Sequence, residues 1–544
     1  MDVGVGPGSV ATNATAQLDA VIIGAGFAGL YQLHVLRDKL GLDVRVLEAA
    51  EGVGGTWYWN RYPGARCDSE SFYYSYSFSS ELEQEWEWTE RYPAQPEILR
   101  YLEHVADRFD LRSSIQFGTR VTGARFDSAQ NRWIVETESG ERFDTSFLIT
   151  AVGCLSTANM PRIPGADTFA GATYHTGLWP HDGVDFTGKR VGQIGTGSTG
   201  IQAIPVIAAT AEHLTVFQRT PNYSVPARNA PLLDAEQRAI KADYAAIRAK
   251  TRSTPGGHPW ENAPDSALDV DDATRRARYE AAWEKGGLRF RSTFNDVLTS
   301  PDANQTAADF IRAKIAQTVH DPAVAERLTP RDHPFAAKRP PIDTDYFETF
   351  NRDNVTLVDL RSTPITSIVP TGVQTSDQTY ELDILIFATG FDAMTGPLLA
   401  LGIEGELGTL RDAWEAGPVS YLGLQIPGFP NLFTITGPGS PSVLTNMPTA
   451  IEQHADWIAA CIAHMRHTGA ARIEARPAET ETWRAETTRA AEATLLPMAS
   501  SSWYLGANIP GKPRVFMPYA GGMAHYAAIC RDIAEKGYPG FVLS

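Results

Sequence analysis

Gly24-Ala25-Gly26-Phe27-Ala28-Gly29, fed by the apolar run Ala20-Val21-Ile22-Ile23, has a counterpart far down the chain in Gly195-Thr196-Gly197-Ser198-Thr199-Gly200, fed by Arg190-Val191-Gly192-Gln193-Ile194. In each, a strand turns tightly into a helix whose free N–H groups face a pyrophosphate, and the glycines let the backbone approach it. Nineteen positions beyond Gly29, Glu48 ends the run Val44-Arg45-Val46-Leu47; nineteen beyond Gly200, Arg219 ends Leu214-Thr215-Val216-Phe217-Gln218. A carboxylate at that place accepts from a ribose 2′-OH and repels a 2′-phosphate, whereas a guanidinium favours the phosphate. The first site therefore suits FAD or NAD, and the second suits NADPH. One glycine fingerprint is weak evidence, but two with their own strands, helices and charged terminal residues are strong.

Around these two stretches the 544 residues organise as an α/β chain with two Rossmann-like dinucleotide-binding domains. Residues 1–17, rich in Gly, Ala and Thr, read as a tail without the basic and apolar regions of a signal peptide. Residues 18–152 read as the first part of the FAD domain. Arg132–Thr137 before Ser139-Gly140 looks like one hairpin arm whose return leads into Phe147–Gly153. Ile384–Gly390 repeats that buried strand ending in glycine, so the FAD domain is expected to be discontinuous. The NADPH domain, inserted in it, then occupies 153–223 and 333–388, and the FAD domain resumes over 389–544. Between them, 224–332 reads as a helical insertion: Asp234 to Arg248 and Asp271 to Lys285 are charged and alanine-rich, and Ile311, Ile315 and Val319 recur every fourth position.

Composition removes several classes. The net charge of −17 argues against nucleic acid or an anionic membrane as partner. There is no run of eighteen apolar residues, and the cytoplasm is the default expectation. Cys67, Cys154, Cys461 and Cys530 form neither a CxxC pair nor a metal spacing, so they read as reduced thiols with no metal site. That also removes a disulfide reductase, leaving hydride transfer from nicotinamide to flavin with another destination for the electrons.

Two further stretches indicate the destination. After Glu48 comes Gly54-Gly55-Thr56-Trp57-Tyr58-Trp59-Asn60-Arg61-Tyr62-Pro63-Gly64-Ala65-Arg66-Cys67-Asp68, with flat apolar walls and one carboxylate. Between the two nucleotide units lies Phe169-Ala170-Gly171-Ala172-Thr173-Tyr174-His175-Thr176-Gly177-Leu178-Trp179-Pro180. The latter, as FxGxxxHxxxWP, resembles the fingerprint of type I Baeyer–Villiger monooxygenases, and the former resembles that family's GGxW…YPG…D signature. The resemblance spans nearly the whole chain, including Leu385–Asp392 and Ser502–Pro513.

The resemblance implies FAD on Gly24, Gly26 and Gly29, with Glu48 on the ribose, Thr56, Trp57, Tyr58, Trp59, Asp68 and Tyr74 along its course, Val121 near the adenine and Met447 near the isoalloxazine. It implies NADPH on Gly195, Thr196, Gly197, Ser198, Thr199, Gly200 and Gln202, with Arg219, Thr220 and Lys338 on the 2′-phosphate. Arg339 matches the catalytic arginine, also beside the nicotinamide, and Trp503 a mobile-loop tryptophan. The activity implied is insertion of one oxygen from O₂ beside a ketone carbonyl through a C4a-peroxyflavin and a Criegee adduct, with sulfide oxidation as a side activity. Both intermediates are anionic, and a fixed guanidinium suits them because it stays charged and offers several donors. Asp68 is expected to orient Arg339 and balance its charge. His175 reads as a structural or hinge residue.

Pro340-Pro341 after Arg339 is expected to stiffen that loop and bear on substrate access. Gly437-Pro438-Gly439-Ser440-Pro441-Ser442-Val443-Leu444 resembles the longer loop of phenylacetone- and steroid-type members and points to a bulky, aromatic or cyclic ketone. The oligomeric state is not read from the sequence; a monomer is compatible with it. The alternatives are an N- or S-hydroxylating flavin monooxygenase, disfavoured by Trp179-Pro180, a non-oxygenating flavin reductase, and a nucleotide-sensing protein without turnover.

Overall fold

The first strand, Ala16–Ile23, is apolar and buried on both faces from Ala20 to Ile23, and it pairs in parallel with Val44–Leu47 on one side and Arg142–Thr150 on the other. The computed structural model describes residues 16–544; the tail expected over 1–17 otherwise lies outside the described residues. That tail is too long by two positions. Ala16 and Gln17 are already in register with Phe143 and Asp144, because pairing with a neighbouring strand draws them into the sheet.

A nine-stranded sheet grows from this centre. Arg132–Thr137 and Arg142–Thr150 form the antiparallel hairpin read at Ser139-Gly140, Val121–Asp127 adds beyond it, and the short Ile403–Gly405 and Gly408–Thr409 complete that edge. Leu432–Thr434 also lies parallel to Arg142–Thr150, with Phe433 opposite Ile149. One face of this sheet is covered by the helices Phe27–Leu33, Gln95–Arg108 and Met447–Thr468, and the other by a cluster around the fully buried Trp133. Every residue of Phe27–Leu33 is buried, and Tyr31 donates from its hydroxyl to Asp456 Oδ1 at 2.7 Å on the covering helix.

A second, wholly parallel sheet of five strands runs in the order Val355–Asp359, His213–Gln218, Arg190–Ile194, Ile384–Phe387, Ala172–His175. Ile384–Phe387 therefore sits inside this sheet, between the strand that feeds the second glycine stretch and the strand that ends at His175.

Residues 234–328 are mostly helical: Asp234–Ser253, Asp272–Lys285, Pro301–Thr318 and Pro322–Leu328. Asp271, Ser300 and Asp321 accept from the free N–H groups at three of the starts. Ile311 and Ile315 face the core as their spacing predicts. Val319 does not continue that helix: its backbone is extended, because Asp321-Pro322 opens a new helix two residues on. Among the described residues no helix is long and apolar enough to cross a membrane, no group of His, Cys, Asp and Glu could hold a metal ion, and all four cysteines are free and buried.

Candidate active site

Both glycine stretches fold the same way. A Cβ on Gly29 would sit 1.8 Å from the carbonyl oxygen of Gly24, and one on Gly200 would sit 2.3 Å from that of Gly195, so each helix packs on its own turn as only glycine permits. At Gly197, the residue capping Ser198–Ala208, a Cβ would meet nothing within 4 Å. The space is open where a pyrophosphate would approach a helix N-terminus. Gly26 lies against Gly55, and Gly54 N–H donates to Ala25 O at 3.0 Å. The second glycine pair thus holds the aromatic turn Thr56–Trp59 against the first fingerprint.

Glu48 is buried at the end of its strand, accepting from Ala25 N–H at 2.6 Å and Ala50 N–H at 2.8 Å. Burial raises its carboxyl pKa, and the backbone donors only partly oppose this. Trp57 is buried with its indole N–H on Tyr74 Oη at 3.2 Å, and Tyr74 stands edge-on to Phe27. Thr56 is exposed, Tyr58 and Trp59 are half-buried, and Val121 is buried at the start of its strand beside Thr119, whose N–H donates to Glu48 O. Met447 opens the helix that covers the first fingerprint.

At the second stretch, Thr196 is buried and donates to Thr220 O at 3.4 Å, while Ser198 is exposed and Thr199 half-buried. Arg219 is exposed at the end of its strand. Burial lowers the pKa of Lys338, with the Arg219 charge adding to the effect and Asp332 opposing it. Two cations brought together with one carboxylate nearby fit a doubly charged phosphate. Gln202 bridges the two nucleotide units, accepting from Tyr62 Oη at 2.7 Å and donating to Arg66 O at 3.0 Å.

Arg339 and Asp68, 271 positions apart, form a two-pronged ion pair: Nε to Oδ2 at 2.5 Å and Nη2 to Oδ1 at 2.8 Å. The third arm, Nη1, donates to Val443 O at 3.0 Å. About a quarter of each ion-pair side chain remains exposed. Burial alone would lower the arginine's proton affinity; Asp68 reverses this and holds it above the ordinary value. For Asp68, burial pushes the pKa up and Arg339 more than offsets it, leaving a carboxylate below its usual range. Val443 carries no signature in the sequence for this role, because it acts through its carbonyl. It belongs to the loop from Gly437 to Leu444, so that loop touches the arginine directly.

Pro340 and Pro341 lead into a short parallel pairing of Ile342–Asp343 with Val225–Pro226, with Val225 N–H on Pro341 O at 3.1 Å. The stiffness expected of the two prolines thus fastens Arg339 from behind. Trp503 is half-buried in a single turn, Trp503–Leu505, and packs with Tyr504 into a cluster holding Cys154, Met394, Val443 and Met517. Its segment is tied down by Lys512 on Asp392 at 2.6 Å and by Asn508 on Phe391 O at 2.7 Å.

His175 ends its strand at the crossover. Its Nδ1 accepts from Gly177 N–H at 3.0 Å, its Nε2 is buried without a protein partner, and burial lowers its pKa. Trp179 is buried against Tyr174, and a Cβ on Gly171 would press to 2.4 Å from Asp383 O. The FxGxxxHxxxWP stretch thus supplies the edge strand Ala172–His175 of the five-stranded sheet and packs through Trp179.

Comparison with known proteins gives the following. The pyridine nucleotide-disulphide oxidoreductase family model matches residues 21–248. A Baeyer-Villiger monooxygenase of Pseudooceanicola batsensis is 45% identical, covering 97% of this chain and 96% of its own. A phenazine N-monooxygenase of Lysobacter antibioticus is 44% identical over 98% of each. The solved structure of an oxidised steroid monooxygenase bound to NADP superposes with a TM-score of 0.93 at 56% identity, covering 97% of this chain and 99% of that one.

Proposed function

The chain belongs to the Baeyer–Villiger monooxygenases, and from that premise we propose that Arg339, held by Asp68 and Val443 O, is the group that stabilises negative charge during oxygen insertion into a bulky or cyclic ketone. The reaction is ketone + O₂ + NADPH + H⁺ giving ester or lactone + NADP⁺ + H₂O. FAD, reduced by NADPH, supplies the activation of O₂. The fixed three-way bonding of Arg339 is the observation that carries this reading, since a preorganised cation needs no reorganisation when charge develops.

The remaining roles follow from position. The first fingerprint and Glu48 would hold FAD, with Trp57 and Tyr74 lining its course; the second fingerprint, Arg219, Thr220 and Lys338 would hold NADPH. Arg339 would face the carbonyl oxygen as it becomes negative, and Asp68 would keep the guanidinium in place. Trp503, on its tied-down segment, would exclude water. Preference for a bulky ketone is supported by the Gly437–Leu444 loop touching Arg339 and by the steroid monooxygenase likeness.

The test is incubation with NADPH and a panel of steroidal, aromatic and cyclic ketones. The expected result is a product heavier by one oxygen, an ester, formed about one for one with NADPH. NADPH consumption without any ester would overturn the reading. Phenazine belongs in the same panel, because the N-monooxygenase likeness supports N-oxidation as the second reading; N-oxide without ester would favour it.

Arg219→Ala is expected to raise the NADPH KM about tenfold to a hundredfold, the range for losing a charged hydrogen bond. The kcat should change far less, because the contact is remote from the reacting atoms. Steady-state kinetics with NADPH and NADH should show the preference for NADPH collapsing.

A further inference from the structure

The single turn Leu288–Ser292 carries two arginines with different surroundings. Arg289 reaches Glu70, which it shares with Arg91, at 3.2 Å and lies over the Trp260 ring at 4.7 Å, so a carboxylate faces it. Arg291 has no ion-pair partner among the described residues; Nη2 donates to His258 Nε2 at 2.8 Å. It lies close enough to Arg339 for the two charges to be felt: burial and then the Arg339 charge lower its pKa to about 10, so it is still cationic at neutral pH. The nearby carboxylate, Asp68, has both oxygens committed to Arg339. The site therefore holds two guanidiniums and one carboxylate, an excess of one positive charge, and a half-buried cation without a carboxylate of its own is left for a ligand to pair with.

The mounting of Arg291 is specific. The His258 ring is 9% exposed and stacks on Trp260 at 3.9 Å with an angle of 3° between the planes. Burial and the Arg291 and Arg339 charges drive its pKa down to about 2, so it is neutral and accepts from Arg291 at Nε2. The proton then sits on Nδ1, which is buried without a protein partner, as are Trp260 Nε1 and Asn446 Oδ1. Gly256 O accepts from Asn446 N–H at 3.0 Å, which fastens this platform to the residue preceding Met447. The phosphates of the two nucleotides have their own glycine stretches and cations elsewhere, which leaves Arg291 for the third ligand.

We propose that Arg291, mounted on the His258–Trp260 stack, is an anchor for a carboxylate on the substrate, so that the enzyme favours ketones bearing a carboxylate over their neutral counterparts. This rests on the ketone reading of the Arg339 site and names a chemical class within it. A planar guanidinium with free donors matches a carboxylate geometrically, and its half-buried setting strengthens the pairing relative to open solvent.

The test uses straight-chain methyl-ketone acids, with about two to six methylenes between carbonyl and carboxylate, against their methyl esters, on the FAD-loaded full chain. The wild type should show kcat/KM at least about tenfold higher for one or more acids than for the matching esters, the range of a charged hydrogen bond. In Arg291→Met that ratio should fall to about one, and Arg291→Lys should restore part of it. Binding of the acid to the NADP⁺-loaded chain, measured by calorimetry, should weaken in parallel in Arg291→Met while NADP⁺ binding holds. A wild-type ratio near one across the series, or a ratio that Arg291→Met leaves unmoved, overturns the proposal. So does loss of NADP⁺ binding in that variant with no change in acid binding, which would make Arg291 a nicotinamide contact. If the wild type oxidised none of these straight-chain ketones, calorimetry with the acids would still decide for or against Arg291, and the ketone reading would stand or fall separately on the steroidal, aromatic and cyclic panel.

Discussion

Arg339→Ala is expected to leave NADPH oxidation running while ester formation falls by about a hundredfold to a thousandfold, the effect of removing one preorganised donor from a site of developing negative charge. The two outcomes separate because they draw on different parts of the fold. On the proposed reading, hydride transfer draws on the two glycine stretches and on Arg219 with Lys338, none of which bonds to the Arg339 guanidinium. Oxygen insertion, on the same reading, draws on a cation fixed at one point, and three nitrogens of Arg339 are bonded to Asp68 and Val443 O. With the cation gone, electrons taken from NADPH should leave as hydrogen peroxide, so peroxide per NADPH should approach one as ester per NADPH approaches zero. Arg339→Lys is the informative companion. A lysine keeps the charge but cannot make the paired bond to both Asp68 oxygens while also reaching Val443 O, so most of the loss should persist. Ester formation at wild-type rates in either variant would remove Arg339 from the reaction.

Much of the scaffold behind that arginine is legible in the sequence, and the reason is physical. A strand–glycine–helix turn needs glycine at positions where a Cβ would strike a backbone oxygen, so Gly24–Gly29 and Gly195–Gly200 are forced into view. The charges at Glu48 and Arg219 stand at fixed distances from them because strand and helix lengths are fixed. Asp68 and Arg339 are another matter. Nothing in composition or periodicity joins two residues 271 positions apart, and only the resemblance to a family links them in advance of the fold. Contributions that pass through the backbone stay hidden altogether, as Val443 O does. So do three-residue strands such as Leu432–Thr434, too short to show alternation yet placed against the central sheet. Arg291 is hidden for a further reason. Its residue type is ordinary and its neighbour Arg289 looks the same in sequence; what distinguishes it is that no carboxylate faces it, a property of space alone.

That shortage of carboxylate makes Asp68 the residue whose loss the fold should feel most. Asp68→Ala removes the one negative charge that Arg339 is bonded to, leaving two guanidiniums close together and unmatched. Breaking a buried pair from one side costs about 3–5 kcal/mol, and the quarter exposure of both partners moves the expectation to the lower end, about 2–4 kcal/mol. Asp68→Asn keeps an acceptor oxygen for one arm of the arginine and should lose less. The pH dependence carries the sign that identifies the cause. Arg339 holds the Asp68 pKa below that of an unfolded aspartate, about 3.9. Its contribution to stability is therefore fully present above that pH and disappears as pH falls through the folded value. Denaturant unfolding of the wild type and Asp68→Asn should differ by a constant amount from about pH 5 to 8, and the difference should shrink on acidification below about pH 4. With NADP⁺ held at Arg219 and Lys338 as proposed, its phosphate charge would lie away from this pair, so adding it should raise the stability of both proteins without closing the gap between them. A carboxylate bound at Arg291 should close part of it, because it supplies the negative charge that Asp68→Asn has removed.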